Sequence, residues 1–356
     1  MAKVLMKGNE AIALAAIKGG VDAFYGYPIT PQNEVPEYLS KHMFEAGKVF
    51  LQAESEVSAI NMVYGAAGAG KRVMTSSSSP GIALKQEGIS YIAAAELPCV
   101  ICSVMRGGPG LGSIQPAQGD YYQATRGGGN GDYKLIVYAP ESIQETIDVM
   151  KDSFNIADYY RNPVLVLVDG LIGQMMESVD FDRPVKERFL PEKDWATNGT
   201  RNHPGRRNVA SSLHIDPVQL ENHNIHLFEK YDLITKNETK YEMINVKNAD
   251  YVIVAYGTMA RICRSAIEML AEKGINVGMI RPITLWPYPK AAFKEIPETA
   301  KGILCCELSM GQMLDDVLIS NNGKHKVGFF GRAGGMLPDP EEIVDAIVNF
   351  ESKVVK

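Results

Sequence analysis

The stretch Ala23-Phe-Tyr-Gly-Tyr-Pro-Ile-Thr-Pro31 decides how this chain is expected to fold, because a short run of β-forming residues enters a loop bounded by two prolines. A helix is predicted from Pro31 to Glu45, since a hydroxyl residue followed by proline suits a helix start. A second strand at Val49 to Gln52 and a second helix at Val57 to Ala69 repeat this order. Alternating strands and helices are typical of a parallel sheet with crossover helices.

The same alternation divides the chain into parts. It runs from residue 10 to about residue 180 and resumes at Asp250. Between these parts, residues 198–207 combine low hydrophobicity with many turn-forming residues, which predicts an extended crossing segment. A chain of 356 residues is long for one hydrophobic core, so two domains are expected. The predicted division is 1–180 for the first domain, 181–245 for a linker segment and 246–356 for the second domain.

Composition excludes several classes of protein. Hydrophobic residues make up 46% of the chain and charged residues 22%, which is ordinary for a globular protein. The net charge is −6 and no block rich in Lys or Arg occurs, so nucleic acid is not an expected partner. No apolar run approaches the roughly 20 residues of a membrane helix, and the N-terminus has no apolar signal core. We therefore expect a cytoplasmic protein that does not contact a membrane.

The five cysteines are predicted to be reduced and structural. They lie in apolar segments without a secretory context, which argues against a disulfide framework. Cys99-Val-Ile-Cys102 has the spacing of a metal or redox site, but its β-forming neighbours favour a buried strand. An iron–sulfur cluster needs about four thiolates in local runs, and the sequence has no such run. This chain is therefore expected to hold no metal, and any electrons must leave through another subunit.

Glu56 is the most informative candidate for chemistry. It is an acidic residue that opens the otherwise apolar helical stretch from Val57 to Gly65. Small residues such as Ala59 and Ala66 predict that one face of this helix packs tightly. Burial of a carboxylate there costs free energy and favours a proton shared with a partner. Two interpretations fit these residues: a functional carboxylate, or an acid in a first helical turn that merely suits the helix dipole.

Thr30 and Arg106 are candidates for binding an anionic or carbonyl ligand. Thr30 lies at a strand-to-helix junction, where backbone N–H groups converge; the alternative is a plain helix cap. Arg106 follows a predicted strand and precedes Gly107-Gly-Pro-Gly110. Its guanidinium is thus expected at the carboxyl edge of the sheet, where ligands of α/β proteins bind. A planar fork suits a carboxylate there, and a structural ion pair is the alternative.

Six segments spread over nearly the whole chain carry a resemblance to a known family. They are Gly8–Ala11, Tyr27–Pro31, Val104–Gly112, Gln115–Tyr122, Arg281–Pro287 and Glu307–Gln312. In this order they resemble the alpha subunit of the 2-oxoacid:ferredoxin oxidoreductases, thiamine diphosphate enzymes of anaerobic metabolism. Ile114-Gln-Pro116 and Gly127–Tyr133 look most like the branched-chain members, which act on 2-oxoisovalerate (3-methyl-2-oxobutanoate).

The resemblance implies a fold and a set of site residues. The fold is a thiamine-diphosphate-binding α/β fold, in which a pyrimidine-type domain with helices on both faces of a parallel sheet precedes an α/β domain like the C-terminal domain of transketolase. By the same resemblance, Glu56 is the catalytic residue and contacts the aminopyrimidine ring of the cofactor, beside Pro28 and Ile29. Thr30 and Arg106 are implied to bind the 2-oxoacid. The chain departs from the family at Asn130, near which a histidine is often found.

The resemblance also implies a reaction and partner subunits. The reaction is oxidative decarboxylation of a branched-chain 2-oxoacid to an acyl-coenzyme A, with electrons passed to ferredoxin. Thiamine enzymes hold Mg²⁺ and diphosphate with a Gly-Asp-Gly segment and a later Asn, which supply oxygen ligands. Gly131-Asp-Tyr133 and Val168-Asp-Gly170 each miss that segment by one residue. A beta subunit is therefore expected to hold Mg²⁺ and the diphosphate, so the lone chain should bind the cofactor poorly. The iron–sulfur clusters are expected in gamma or ferredoxin-like delta subunits.

Three alternatives remain at this point. The first is the alpha subunit of a 2-oxoglutarate:ferredoxin oxidoreductase. The loop Gly108–Ala124 contributes no Lys or Arg for a second carboxylate, which favours a branched aliphatic acid, although Arg126 keeps 2-oxoglutarate open. The second is a non-catalytic scaffold subunit, which would not need Glu56. The third, a transketolase-like transferase, is disfavoured because the metal-binding half is missing.

Overall fold

A computed structural model describes residues 3–200 and 205–355, so residues 201–204 of the predicted crossing segment lie outside the described residues. The strands are β1 (Val4–Lys7), β2 (Ala23–Gly26), β3 (Val49–Gln52), β4 (Val73–Ser77), β5 (Val100–Met105), β6 (Ile136–Tyr138), β7 (Val164–Asp169), β8 (Met176–Val179), β9 (Tyr241–Ile244), β10 (Tyr251–Val254), β11 (Val277–Pro282), β12 (Thr284–Trp286), β13 (Gly302–Glu307) and β14 (Val327–Gly331).

The helices alternate with these strands along most of the chain. They are α1 (Gly8–Lys18), α2 (Glu34–Glu45), α3 (Glu56–Gly68), α4 (Ser79–Ala94), α5 (Tyr121–Arg126), α6 (Ile143–Tyr160), α7 (Gly170–Gln174), α8 (Pro217–Glu238), α9 (Gly257–Glu272), α10 (Leu314–Asn321) and α11 (Pro340–Val348), with short 3₁₀ turns at Val246–Asn248, Lys290–Glu295 and Phe350–Lys353. None of the described helices is long and apolar enough to cross a bilayer.

A seven-stranded sheet organises the N-terminal part of the chain. Its strand order is β12-β6-β7-β5-β4-β2-β3, and all strands are parallel except β12. Along the central strand β5, Ile101 packs into the core under α3 and α4, whereas Val100 and Cys102 pack into the core under α1, α2 and α6. Because side chains of a strand alternate between the two faces, both faces of this sheet are covered by helices. The predicted parallel sheet with helices on both faces is confirmed.

A second sheet is formed by the C-terminal part. Its order is β14-β13-β10-β11-β9, with β9 antiparallel to β11. One apolar core is continuous between the two sheets, since Val252 and Ile303 belong to the same cluster as Ile101. Two strands cross the divisions that the sequence suggested. The strand β9 lies within the predicted linker, and β12 joins the first sheet; the domain limits therefore stay a prediction.

The first helix after the diagnostic loop begins later than predicted. The helix α2 begins at Glu34 with Asn33 as its N-cap, and not at Pro31. The amide of Gln32 donates to the carbonyl of Ile29 (3.0 Å), which forms a turn before the helix. The Thr30 hydroxyl accepts from the Asn33 side chain (3.3 Å) and does not cap the helix. Thr30 is thus displayed on a loop, and its interpretation as a helix cap is wrong.

The long glycine-rich loop, residues 107–132, is anchored by the C-terminal part of the chain. It contains α5, whose Tyr121 hydroxyl donates to Asp316 (2.5 Å). The Gln118 backbone amide donates to the Leu308 carbonyl (2.8 Å), and the Gln118 side chain accepts from the Leu308 amide (2.9 Å). Both parts of the chain therefore fix this loop over the carboxyl edge of the first sheet.

Candidate active site

The residues singled out from the sequence follow neighbouring strands of the first sheet. Thr30 follows β2, Glu56 follows β3 and Arg106 follows β5, while Ser77–Gly81 connects β4 to α4. The strands lie in the order β3-β2-β4-β5. Since parallel strands end at the same edge, these residues share one side of the sheet, the side on which α/β proteins bind ligands.

Glu56 is a buried carboxyl without a partner. It is the first residue of α3, whose N-cap Ser55 accepts a hydrogen bond from the Ser58 amide (3.1 Å). Its side chain is only 7% exposed. Among residues 3–200 and 205–355 its carboxyl group forms no hydrogen bond. The helix dipole favours an acid here, but an unpaired buried carboxyl is costly, so the position also suits a ligand that donates or shares a proton.

Gly81 in the first turn of α4 has no side chain, which makes room for the Glu56 carboxyl. A Cβ atom on Gly81 would lie 2.1 Å from Ser77 Oγ and 2.8 Å from Glu56 Oε1. Ser77 Oγ is buried and has no hydrogen-bond partner among the described residues. Two polar groups without partners in the described residues thus pack against one glycine, and both remain available to a polar ligand.

We expect Gly81→Ala to destabilise the protein by about 1–2 kcal/mol, because the added methyl group would overlap Ser77 and Glu56. Urea unfolding measures this loss. Gly65→Ala on α3 is the matched control: nothing lies within 4 Å of its Cβ position, and alanine should raise helix stability by about 0.5–1 kcal/mol. Equal stability of Gly81→Ala and the wild type would contradict the packing described here.

Thr30 and Arg106 are in direct contact. The Arg106 side chain donates from Nη1 to the Thr30 carbonyl (3.0 Å) and from Nη2 to the Leu111 carbonyl (2.9 Å). Its Nε is buried and meets no acceptor within the described ranges. A guanidinium has five N–H donors, so Arg106 keeps donors for a ligand such as a carboxylate. No acidic side chain pairs with it in the described part of the chain, and the structural ion pair is therefore not found.

The loop that carries Pro28 and Ile29 is tied to the end of β4. Pro28 is exposed and Ile29 is half-buried. The buried Gln32 accepts from the Ser76 hydroxyl (2.6 Å), which fixes the loop beside Ser77 and Gly81. Among the described residues, Glu56 forms no hydrogen bond or ion pair with Thr30 or Arg106. The first turn of α4 lies between them, since the Ser79 hydroxyl accepts from the Arg106 amide (3.0 Å).

A cavity of about 370 Å³ opens beside Thr30. Apolar carbon from Pro31, Ile114, Pro116 and Leu171 forms much of its wall, and no Lys or Arg lines it. Its one charged lining residue is Glu34. Burial opposes ionisation of Glu34, but hydrogen bonds from Lys7 and Asn9 outweigh it and lower the pKa of Glu34. The cavity is therefore partly apolar and carries negative charge at neutral pH.

A second cavity, of about 710 Å³, lies beside the first turns of α4 and was not anticipated from the sequence. It is lined by Ser79, Gly108 and Asp120 together with Met310 and Gly334. Asp120 accepts from the Ser79 hydroxyl (2.5 Å). Burial raises the pKa of Asp120 to about 6, although Ser79 and the charge of Arg106 oppose the shift. Asp120 is thus a buried carboxyl group with a raised pKa on the glycine-rich loop.

The five cysteines were predicted to be structural and not to form a metal or redox site. The five cysteines are all free and buried, so the prediction of reduced, structural thiols is confirmed. Burial alone raises the pKa of Cys99 and Cys102 to about 12. Within the described ranges no group of three His, Cys, Asp or Glu side chains has the geometry to hold a metal ion.

Comparison with known proteins decides the family. Residues 14–243 match the family model of pyruvate flavodoxin/ferredoxin oxidoreductases, thiamine diphosphate-binding, and residues 249–343 match core domain II of pyruvate:ferredoxin oxidoreductase. The chain belongs to the 2-oxoacid:ferredoxin oxidoreductase family. It is a subunit of an oxidoreductase that acts as a complex, and the thiamine-diphosphate-binding fold is confirmed.

Two relatives of this oxidoreductase subunit match over nearly their full length. The ketoisovalerate oxidoreductase subunit VorB of Methanothermobacter thermautotrophicus is 46% identical over 98% of this chain and 97% of its own. The 2-oxoglutarate synthase subunit KorA of Methanocaldococcus jannaschii is 34% identical over 96% of this chain and 98% of its own. The predicted resemblance to branched-chain members is thereby confirmed.

Solved structures agree with the fold of this oxidoreductase subunit. The 2-oxoglutarate:ferredoxin oxidoreductase from Magnetococcus marinus, with 2-oxoglutarate, coenzyme A and succinyl-CoA bound, matches with a TM-score of 0.87 and 28% identity. The match covers 98% of this chain but only 65% of that longer chain. An inactive beta4 tetramer of a split-gene transketolase matches with a TM-score of 0.60 at 14% identity, which shows a transketolase-like fold alone.

Proposed function

We propose that this chain is the alpha subunit of a complex that oxidatively decarboxylates a branched-chain 2-oxoacid, 2-oxoisovalerate, to an acyl-coenzyme A and passes the electrons to ferredoxin. The observation that carries the proposal is the buried, unpartnered carboxyl of Glu56 at the carboxyl edge of a thiamine-diphosphate-binding domain. The name of the 46% identical relative, a ketoisovalerate oxidoreductase subunit, supports the substrate.

Glu56 is proposed to hold the aminopyrimidine of thiamine diphosphate through N1′. The residues fit this ring, because Ser77 Oγ and the Glu56 carboxyl lie side by side against Gly81 and neither has a hydrogen-bond partner among the described residues. When bound, the cofactor supplies the nucleophilic carbon and the electron sink for decarboxylation. The part of Glu56 is to share a proton with N1′ inside a site from which water is excluded. Pro28 and Ile29 are proposed to border the same ring.

A partner subunit is proposed to complete this site and to bind the diphosphate with Mg²⁺. Neither of the two cavities is lined by Glu56. Its neighbour Val57 on α3 is 46% exposed, and Leu84 on the adjoining helix α4 is 56% exposed. Exposed apolar side chains close to Glu56 indicate a surface that another protein covers. We propose the beta subunit as its occupant, with iron–sulfur clusters in further gamma or ferredoxin-like delta subunits.

Thr30 and Arg106 are proposed to orient the substrate carboxylate. The guanidinium retains free donors, and the cavity beside Thr30 offers apolar wall from Ile114 and Leu171 for a branched side chain. No Lys or Arg lines this cavity, and its one charged residue, Glu34, is paired with Lys7, so the second carboxylate of 2-oxoglutarate would find no cationic partner there. Arg126 was the residue that kept 2-oxoglutarate possible as a substrate. Its guanidinium forms an ion pair with Asp316 (3.1 Å) and therefore already has an acidic partner.

The substrate proposal is tested by acceptor reduction with the complex assembled from this chain and its co-purified partner subunits. With coenzyme A and a viologen as electron acceptor, we expect kcat/KM for 2-oxoisovalerate to exceed that for 2-oxoglutarate by about 100-fold, since a carboxylate that leaves water without a cationic partner costs about 3 kcal/mol. Preference for 2-oxoglutarate would contradict the substrate assignment. Acyl transfer without reduction of the viologen would contradict the oxidoreductase itself.

A further inference from the structure

A second buried charge lies behind Glu56. Lys85 on α4 is fully buried, and its Nζ donates to Thr75 Oγ1 (2.8 Å) and to the Ser76 carbonyl (3.0 Å) at the end of β4. Lysine is almost never completely buried unless it is paired. Both acceptors are neutral, and in the described part of the chain Lys85 forms no direct ion pair. Burial of its charged form therefore costs free energy that two hydrogen bonds to neutral acceptors do not offset.

The geometry of α4 places Lys85 and Glu56 in one pocket of the core. Gly81 and Lys85 are one helical turn apart and so lie on the same face of α4. That face packs on α3, because Glu56 Oε1 approaches to 2.8 Å from the Cβ position of Gly81. Lys85 is thus the next side chain along the helix surface against which Glu56 rests.

Glu56 is the charged group that faces Lys85. It is the only acidic or basic residue in α3, and neither β4 nor β5 contains one. The one titratable residue of β5, Cys102, packs into the core on the opposite face of the sheet. On α4 itself, Glu87 is exposed and Gln86 is neutral. Asp120 meets the start of α4 through Ser79 and lies beyond Gly81.

The ionisation of Lys85 is sensitive to this environment. Burial lowers the pKa of Lys85 to about 7, and the charge of Glu56 opposes that shift. The Lys85 amine is therefore only partly protonated at neutral pH.

We propose that Lys85 is a positioning residue whose positive charge, placed behind Glu56, holds Glu56 as a carboxylate until the cofactor ring shares a proton with it. This inference rests on the proposed function of Glu56. Because a nearby ammonium favours a carboxylate over a carboxylic acid, its removal should move proton uptake on cofactor binding to higher pH. The proton that Glu56 gains when the ring binds comes from solvent.

The test is proton uptake on cofactor binding to the assembled complex. Thiamine diphosphate is titrated calorimetrically in buffers of different ionisation enthalpy, from about pH 5 to about pH 9, to give the protons taken up per cofactor. We expect Lys85→Met to shift the uptake curve to higher pH by about one unit, and the acidic limb of the kcat profile to shift with it. In a Glu56→Gln background, Lys85→Met should shift neither.

Lys151→Met is the matched control. Lys151 is a buried lysine on α6 whose Nζ donates to the carbonyls of Phe181 (2.7 Å) and Arg183 (2.6 Å), away from Glu56. Its replacement should lower stability and leave the uptake curve in place. Lys85→Gln is measured beside Lys85→Met. Both variants remove the charge, but Gln keeps N–H donors for Thr75 and Ser76, so a shift seen in both variants cannot come from the loss of these hydrogen bonds.

The outcomes separate this inference from the function on which it rests. Lower stability of both Lys85 variants with an unmoved uptake curve, as for Lys151→Met, would overturn the role of Lys85 and leave Glu56 in its role. Wild-type activity and wild-type proton uptake in Glu56→Gln would overturn the proposed function itself. A shifted curve in both Lys85 variants that disappears in the Glu56→Gln background supports the inference.

Discussion

Replacement of Glu56 with Gln is expected to lower kcat of the assembled complex by about 10²–10⁴-fold, the usual contribution of a side chain that shares a proton in the reaction. Gln has nearly the shape of Glu, so it should fit beside Gly81 and Ser77 without disturbing α3. It cannot share a proton with N1′ in the same way. Acceptor reduction with saturating 2-oxoacid and thiamine diphosphate measures the effect.

Glu54→Gln is the control for this prediction. Glu54 is an exposed acid just before α3 whose carboxylate accepts from the Ser58 hydroxyl (2.8 Å). Its replacement should change kcat by less than about twofold, because exposed polar contacts contribute little. Near wild-type activity of Glu56→Gln would mean that the chain is a non-catalytic scaffold for its partners.

Replacement of Arg106 with Lys is expected to raise KM for the 2-oxoacid by about 10–100-fold, which corresponds to about 1.5–3 kcal/mol for hydrogen bonds to a charged group. The Arg106 guanidinium donates to the Thr30 and Leu111 carbonyls and still has N–H groups left for a carboxylate. Lysine keeps the charge but lacks this planar arrangement of donors. Because the lost contacts are those that orient the substrate, KM should change more than kcat. Steady-state kinetics with the assembled complex separate the two.

Arg126→Lys provides the matched control at the other end of the same loop. The Arg126 guanidinium pairs with Asp316 and lies 5.8 Å from the centre of the Tyr122 ring. Since it is not placed toward the cavity beside Thr30, its replacement should leave KM within about twofold. An unchanged KM in Arg106→Lys, or a large increase in Arg126→Lys, would remove Arg106 from the substrate site.

Much of the sheet could be predicted because its strands are short apolar runs with clear boundaries. Val164–Asp169 and Gly302–Glu307 are buried along their full length, and such runs stand out in the sequence. The strand β12 could not be predicted in the same way. It pairs with β6 from well over a hundred residues away, and three residues carry too little local signal to specify such a contact.

The site was only half visible in the sequence. Glu56, Thr30 and Arg106 were identifiable as polar residues at the ends of apolar segments, and their combination came from the family resemblance. The helix α4 was missed, and with it Gly81 and Lys85. Ser79 followed by Pro80 was a helix-start signal that could have revealed it.

Lys85 shows why α4 was obscured. It interrupts the buried apolar face that Ile82 and Ile89 otherwise form, and a lysine in such a pattern is normally taken as a solvent-facing position. Asp120 was missed for a different reason. Its raised pKa arises from burial of the loop that carries it, and Leu308 and Asp316 hold this loop only in the folded chain.

A structure of the assembled complex with thiamine diphosphate bound tests the central claim most directly. We predict that a Glu56 carboxyl oxygen lies within hydrogen-bonding distance of N1′ of the pyrimidine, while Mg²⁺ and the diphosphate are held by another polypeptide. A pyrimidine ring bound away from Glu56, or a diphosphate held by this chain alone, would contradict the account.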